Sequence, residues 1–218
     1  MNWIYTIAIV IALVVVGFLL FIFMPKPTVF FDPYTNTTQL FAQHHDEILR
    51  ETTDCLDPVI PIYGFQRDIN SSEYPKIYEL LRSMPYVRFA GIINIKPKFE
   101  QRREYGFADI ANDTIRYFYT IKQSAIQKSG IWIDGSRKFF TDKEWICGDM
   151  SREHSLFNKD KLNHTTVLFI DIDRHPSIHN GCSPNNDIKK DEVLKMFEEN
   201  AYIKGNTPEL DGYESQDD

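Results

Sequence analysis

A series of short apolar segments between Tyr86 and Arg174 constrains the fold of this chain more than any other feature. The spacing of apolar residues within them is typical of strands, and polar turns separate them. There are seven segments: YVRFAGIINIK, TIRYFYTIK, GIWIDG, RKFFT, EWICGD, EHSLFN and TTVLFIDIDR. Asp134 and Gly135 are typical of a hairpin turn. The pattern predicts an antiparallel sandwich or barrel and not a doubly wound α/β sheet.

Segments whose apolar residues recur at helical spacing flank these strands in the sequence. Residues 36–52, NTTQLFAQHHDEILRET, place apolar side chains on one face, and residues 71–85, SSEYPKIYELLRSMP, do the same behind a cap at Ser71 or Ser72. Residues 186–201, NDIKKDEVLKMFEENA, return to the same spacing. We therefore expect helices packed against one side of the β structure.

The first 25 residues contain no Asp, Glu, Lys or Arg, and Trp3 to Met24 is almost wholly apolar. About 22 helical residues cover roughly 33 Å, enough to cross a hydrocarbon core of about 30 Å. A cleaved signal peptide is the alternative, but a basic n-region and a small-residue cleavage site are missing. The sequence predicts a single-pass anchor and stalk in residues 1–27, one domain in 28–203 and an acidic disordered tail in 204–218.

Four N-x-S/T sequons, at Asn36, Asn70, Asn112 and Asn163, exceed the number expected by chance for this composition. They indicate a glycoprotein whose domain is luminal or extracellular, although Asn112 falls in a predicted strand where a glycan would not fit. An Asn-rich chain that forms sequons by chance is the alternative. The net charge of −7 argues against nucleic-acid partners, and the apolar anchor predicts the membrane as a partner.

Cysteines and paired histidines give weaker signals. Cys55, Cys147 and Cys182 are too few for a disulfide framework, and Cys147 lies in an apolar strand where we expect it to be buried. His44 and His45 are adjacent and cannot face one way on a helix, so we interpret both as solvated.

Three stretches, LLRSMPYVRFAGIINIKP, TIRYFYTI and WIDGSRKFFTDKEWICGDMSREHSLFNKDKLNHTTVLFIDIDRHP, resemble the aspartyl/asparaginyl β-hydroxylase family, which includes bacterial lipid A 2-hydroxylases. The resemblance implies a mainly β fold with flanking helices, a double-stranded β-helix (jelly roll, cupin-like) behind the transmembrane helix. It also implies that the mouth of the jelly roll holds Fe(II) and the co-substrate 2-oxoglutarate. An active member would be a dioxygenase that hydroxylates a protein side chain or a lipid acyl chain with O2.

His154 stands where the resemblance places the distal iron-binding histidine. The proximal ligand of the family, often part of H-x-D, falls on Phe107, which has no lone pair for iron, while Asp109 keeps the carboxylate. Asp109 and His154 are therefore the predicted metal ligands, with Glu104 as a third group that could swing in. Solvated loop positions are the alternative interpretation of both acids.

The co-substrate residues depart from the family in a similar way. The arginine that grips the far carboxylate of 2-oxoglutarate falls on Thr165 or its neighbour His164, and a histidine two residues after Arg116 is replaced by Phe118. Losing a charge-assisted partner costs on the order of 1.5 to 3 kcal/mol, or about 10- to 150-fold in binding. Arg116, His164 and Thr165 remain the candidate co-substrate residues.

Two functions follow from these features. One is a membrane-anchored Fe(II)/2-oxoglutarate hydroxylase with a degenerate site, built on Asp109, His154 and Arg116. The other is a catalytically inactive jelly roll, a pseudoenzyme that serves as a binding or structural module at a membrane surface. Function must be argued from the site and not from the fold, so the geometry of these residues decides between them.

Overall fold

The computed structural model describes residues 3–23, 28–33, 35–55, 57–64, 67–68 and 71–186. The helices are α1 Trp3–Phe23, α2 Thr35–Gln43, α3 His45–Thr52, α4 Pro75–Arg82 and α5 Ala108–Ala111. The strands are β1 Phe30–Phe31, β2 Val59–Gly64, β3 Arg67–Asp68, β4 Val87–Ile95, β5 Phe99–Glu100, β6 Thr114–Lys122, β7 Ser129–Ile133, β8 Ser136–Phe139, β9 Trp145–Gly148, β10 His154–Asn158 and β11 Thr165–Asp173.

The strands form two antiparallel sheets. The larger sheet has the order β1-β9-β6-β11-β4-β2-β3, and the smaller sheet has the order β5-β10-β7-β8. Eight consecutive strands, β4 to β11, contribute four strands to each sheet, so the chain passes repeatedly from one sheet to the other. Two antiparallel sheets wound together in this way form a jelly roll, and the predicted cupin-like fold is confirmed.

Both faces of the larger sheet are buried, because alternate residues of each strand point to opposite faces. On the outer face, Tyr119 of β6 and Ile170 of β11 pack in one core cluster with Phe41 of α2 and Ile48 of α3. On the inner face, Phe118 belongs to a second cluster that also contains residues of the smaller sheet. The helices therefore cover one side of the jelly roll, as expected, and the inward-facing residues decide what its interior can hold.

All seven predicted strands are confirmed, as β4 and β6 to β11. The turn at Asp134 and Gly135 joins β7 to β8, and both residues have positive φ, 43° and 86°, as such a turn requires. Strands β1, β2, β3 and β5 were not predicted. Three of these have two residues each, and β2 contains Pro61, a residue that argues against a central strand and coincides here with a shift in the register of pairing with β4.

The first predicted amphipathic helix is two helices, since the chain breaks at His44 between α2 and α3. The prediction that His45 is solvated is wrong: its side chain is buried, and its Nδ1 lies 2.8 Å from the hydroxyl of Tyr119. The predicted serine cap of the next helix is also wrong. Helix α4 begins at Pro75, and the carboxylate of Glu51 accepts hydrogen bonds from its second and third backbone amides at 2.6 and 3.1 Å.

The amino-terminal helix α1 exposes its described apolar side chains, among them Ile9 and Leu13. Where both backbone and side chains are described, no helix is long and apolar enough to cross a membrane. The anchor and the proposed domain boundaries therefore stay predictions. The predicted helix over 186–201 and the acidic tail lie outside the described residues, apart from residue 186.

Cys147 is buried as predicted, and all three cysteines are free thiols.

Candidate ligand cavity at the mouth of the jelly roll

A cavity of about 230 Å³ lies where β10 begins and β11 ends, with side chains from both sheets around it. Pockets for drug-sized ligands usually measure about 300 to 1,000 Å³, so this cavity suits a smaller molecule. Most of the side chains around it are apolar. The lining residues are Val59, Phe89, Ile93, Glu104, Tyr105, Gly106, Phe107, Ile110, Ala111, Thr114, Arg116, Met150, His154, Phe169, Asp171 and Asn185.

The short helix α5 forms one wall of the cavity. Phe107, Ile110 and Ala111 are spaced by three and four residues, which places them on one face of the helical turn, and all three line the cavity. Asp109 lies on the opposite face, where its side chain is exposed, and it does not line the cavity. The structure therefore separates Asp109 from His154, although the sequence predicts them as ligands of one metal ion.

Arg116 and Asp171 form an ion pair in the cavity wall. They are register partners on β6 and β11, and the guanidinium Nε and Nη2 donate to the two carboxylate oxygens at 2.7 and 2.6 Å. The guanidinium also lies 4.6 Å from the ring centre of Phe169. The sequence predicted that Arg116 binds a carboxylate of the co-substrate. In the structure Arg116 binds the carboxylate of Asp171 instead, and Asp171 was not predicted as a site residue.

His154 also lies deep in the cavity wall, with a relative exposure of 7%. Its Nδ1 donates to the carbonyl of Arg152 at 2.9 Å, which leaves a lone pair on Nε2 in the neutral ring. Burial is the main cause that lowers the pKa of His154 to about 4; the positive charge of Arg116 adds to this, while the Arg152 carbonyl, Asp149 and Asp171 oppose it. The imidazole is therefore neutral at physiological pH.

The low pKa of His154 predicts an acid-sensitive contribution to stability. The folded-state pKa of about 4 lies below the unfolded value of 6.5, so this contribution is present above pH 6.5 and is lost as the pH falls towards 4. We expect a loss of about 2 to 3 kcal/mol over that interval. Urea unfolding at several pH values should show that His154→Gln removes this part of the pH dependence, whereas His164→Gln, at an exposed position, keeps it. Equal slopes in both variants would contradict the assignment.

Glu104 reaches the cavity from the rim. Its backbone pairs with that of His154, with N to O distances of 3.0 and 2.8 Å. The side chain is exposed and accepts a hydrogen bond from the side-chain amide of Gln101. The carboxylate is therefore already partnered in this conformation, and it stays a prediction that Glu104 can swing in as a ligand.

The predicted co-substrate residues at the start of β11 lie away from the cavity. Thr165 is fully buried; its hydroxyl donates to Ser129 Oγ at 2.6 Å and accepts from the backbone N–H of Ser124 at 2.9 Å. His164 is exposed in the preceding loop and does not line the cavity either. The interior of the jelly roll is filled by one continuous set of buried apolar side chains, which includes Ile95, Phe118, Ile131, Phe140 and Val167.

The described residues do not fit Fe(II) and 2-oxoglutarate. No group of three or more His, Cys, Asp or Glu side chains within the described ranges is arranged to hold a metal ion. His154 offers one nitrogen, while both oxygens of Asp171 bond to Arg116, whose positive charge opposes a metal ion there. Thr165, to which the resemblance assigns the far carboxylate of 2-oxoglutarate, does not line the cavity, and its hydroxyl already bonds to Ser124 and Ser129. No site of two or three convergent ligands is therefore formed.

A buried ion pair between Asp149 and Arg174 lies next to the cavity and was not predicted from the sequence. Asp149 is fully buried after β9, and its carboxylate accepts from both terminal nitrogens of Arg174, from the backbone N–H and hydroxyl of Ser151, and from Nε2 of His179. Arg174 also donates to four backbone carbonyls, those of Asn112, His179, Ala111 and Thr114. Burial raises the pKa of Asp149, but the hydrogen bonds and charge of Arg174 and the bonds from Ser151 outweigh it, so the pKa is lowered.

The segment of residues 181–186, which we call the strap, follows β11 and closes over the loop around α5. Ser183 N donates to the side-chain oxygen of Asn112 at 2.7 Å, and its hydroxyl donates to the Gly106 carbonyl. The carbonyl of Asn185 accepts from Ala108 N at 2.6 Å. The strap thereby adds Asn185 to the cavity wall, which no motif in the sequence indicated.

Comparison with known proteins gives structural neighbours only. No protein-family model matches the chain, and no curated protein matches it. An oxidoreductase of the 2OG-Fe(II) oxygenase family from Burkholderia pseudomallei is 14% identical with a TM-score of 0.43, over 58% of this chain and 70% of that one. The non-heme monooxygenase ThoJ, solved with nickel, is 9% identical with a TM-score of 0.38, over 68% of this chain and 73% of that one.

The cupin domain of Cnp3 from Schizosaccharomyces pombe is 10% identical with a TM-score of 0.33, over 42% of this chain and 59% of that domain. The chain therefore spans less than two thirds of that cupin domain. Similarity of this size carries no activity or ligand over to this chain, and the fold assignment depends on the strand order.

Proposed function

We propose that this protein is a jelly-roll binding module without iron-dependent catalysis, and that its mouth cavity holds a small ligand. The observation that carries the proposal is the Arg116–Asp171 ion pair. It occupies the cavity wall beside His154, where a metal ion would need a second ligand. Among the described His, Cys, Asp and Glu side chains that line the cavity, His154 is then the buried one whose lone pair faces no competing cation.

The energetics of the ion pair support this proposal. A metal ion that drew Asp171 away from Arg116 would leave a partly buried guanidinium without its carboxylate and beside a divalent cation. Breaking a buried ion pair by removing one partner typically costs about 3 to 5 kcal/mol. A metal bound through His154 and Asp171 would have to offset that cost and the repulsion from Arg116.

A membrane location is part of the proposal. The uncharged amino-terminal segment would attach the module to a bilayer, and the sequons favour the luminal or extracellular side. The side chain of Asn163 is exposed and suits a glycan, whereas Asn112 is half-buried and bonds through both its side-chain nitrogen and its side-chain oxygen to the backbone of Ser183. We expect glycosylation at Asn163 in preference to Asn112.

A second candidate function is the hydroxylase of the family that the sequence resembles. It is favoured by His154, because metal-binding histidines usually donate their other ring nitrogen to a carbonyl or carboxylate, as Nδ1 does here to Arg152. A neutral imidazole with a free Nε2 is the form that ligates a metal. This candidate needs at least one further ligand, and Asp109 is exposed on the other face of α5.

Iron and 2-oxoglutarate binding to the full chain distinguishes the two functions. We expect well under one equivalent of Fe(II) to bind under anaerobic conditions, and no succinate to form from 2-oxoglutarate when O2 is added, because two ligand positions are missing. Phe107→His is the matched variant, since it places a second imidazole on the face of α5 that lines the cavity. Stoichiometric iron together with 2-oxoglutarate-dependent succinate release by the wild-type chain would establish the hydroxylase instead.

A further inference from the structure

The cavity contains a hydrogen-bond acceptor that the protein does not use. Nδ1 of His154 donates to the Arg152 carbonyl, and Nε2 takes part in none of the hydrogen bonds found among the described residues. The side chain is more than nine-tenths buried and lines the cavity. Nε2 is therefore an open acceptor in the cavity wall, and a ligand that donates a hydrogen bond to it would gain that bond without displacing a protein partner.

Arg116 lines the same cavity and provides a hydrogen-bond donor. Arg116 uses Nε and Nη2 on Asp171, while none of the described hydrogen bonds uses its Nη1. The guanidinium is fixed by two bonds to Asp171 and lies over the Phe169 ring, so Nη1 is held in place before any ligand arrives. A fixed donor loses little conformational entropy on binding, which favours a ligand group that accepts from it.

The charge of the cavity disfavours an ionic ligand. The positive charge of Arg116 is balanced by Asp171 at 2.6 Å, and Glu104 adds a negative charge at the rim. An anion would lose hydration without gaining a free cation, and a cation would meet the guanidinium of Arg116. The remaining walls are mostly apolar and include Ile93, Ile110 and Phe169.

Resting on the binding function proposed above, we infer that the cavity selects a small neutral molecule with an apolar body and a single hydroxyl group. The hydroxyl donates to Nε2 of His154 and accepts from Nη1 of Arg116, since a hydroxyl is both donor and acceptor. The apolar body packs against Ile93, Ile110 and Phe169. A cavity of about 230 Å³ is smaller than the pockets of drug-sized ligands and suits a molecule of about the size of benzyl alcohol.

Three probes of similar size test this inference on the full chain by calorimetry: benzyl alcohol, toluene and benzoate. Benzyl alcohol should bind about tenfold more tightly than toluene, because two hydrogen bonds are added to the same apolar body. Benzoate should bind at least about tenfold more weakly than benzyl alcohol, because its charge is not compensated. In His154→Phe the preference for benzyl alcohol over toluene should fall to about twofold or less, whereas His164→Phe, outside the cavity, should keep the wild-type ratio.

Several outcomes would overturn the inference. Equal affinities for benzyl alcohol and toluene, tighter binding of benzoate, or no binding of any probe would each reject the ligand class. If His154→Phe folds poorly, the ranking of the three probes in the wild-type chain decides alone. Succinate release would reject the proposed function separately, because that assay uses iron and 2-oxoglutarate and does not depend on the ranking of these probes.

Discussion

Replacing Asp149 with asparagine is expected to lower the free energy of unfolding by about 3 to 5 kcal/mol. Asparagine keeps the shape of the side chain but removes its charge, which leaves the guanidinium of Arg174 buried at 7% exposure without a counterion. It also turns one of two acceptor oxygens into a donor that faces other donors. Urea unfolding of the full chain near pH 7 measures this change as a shift in the midpoint concentration.

The matched control uses an exposed ion pair. Arg88 and Asp173 also form an ion pair, but their side chains are 53% and 33% exposed, so Asp173→Asn should cost no more than about 1 kcal/mol. Arg174→Met combined with Asp149→Asn should cost less than the sum of the single variants, because the double variant leaves no unpaired charge. An Asp149→Asn effect as small as that of Asp173→Asn would show that the buried pair does not stabilise the fold.

Restoring the arginine of the hydroxylase family at Thr165 is the second change with a large expected effect. Thr165→Arg should destabilise the protein by at least about 3 kcal/mol, or prevent soluble expression, because it places a charge at a fully buried position whose hydrogen-bond partners are Ser124 and Ser129 and not a carboxylate. The variant also loses the hydroxyl that links Ser124 to Ser129. Unfolding curves and the yield of soluble protein provide the measurement.

Thr165→Val separates the two contributions to that loss. Valine has nearly the same shape as threonine and removes only the two hydrogen bonds, which should cost about 1 to 3 kcal/mol. If Thr165→Arg were as stable as the wild type and bound 2-oxoglutarate, the interior would have room for the co-substrate. That result would favour the hydroxylase function, because it would show that this fold can bind the co-substrate once the arginine is restored.

The strands could be predicted because β-branched and aromatic residues are concentrated in short segments that polar turns separate. Alternating burial was not the signal, since β6 is buried at seven of nine positions and β11 at eight of nine. The segment of β2 is interrupted by Pro61, which weakened its strand pattern. The burial of His45 depends on Tyr119, a residue 74 positions away, so local periodicity could not reveal it. The same holds for Glu51, which caps a helix from another helix.

The site was predicted only in part. The resemblance led to His154, Arg116 and the altered position Phe107, and all three line the cavity. Asp109 was selected by its spacing from Phe107, but two residues along a helix point to different faces. Asp171 carried a usable signal, since an acid at an inward-facing position of an apolar strand needs a buried partner and Arg116 is one of the cations on the neighbouring strand. The separation of 55 residues between Arg116 and Asp171 did not indicate that the two would be register partners.

The strap has an evolutionary consequence. Its residues belong to no strand of the jelly roll, yet Asn185 forms part of the cavity wall and is anchored through the backbone of Ala108. Substitutions or insertions there can change the shape of the cavity without disturbing the pairing of β4 to β11. Selectivity can therefore diverge among descendants of this protein while the scaffold is inherited unchanged.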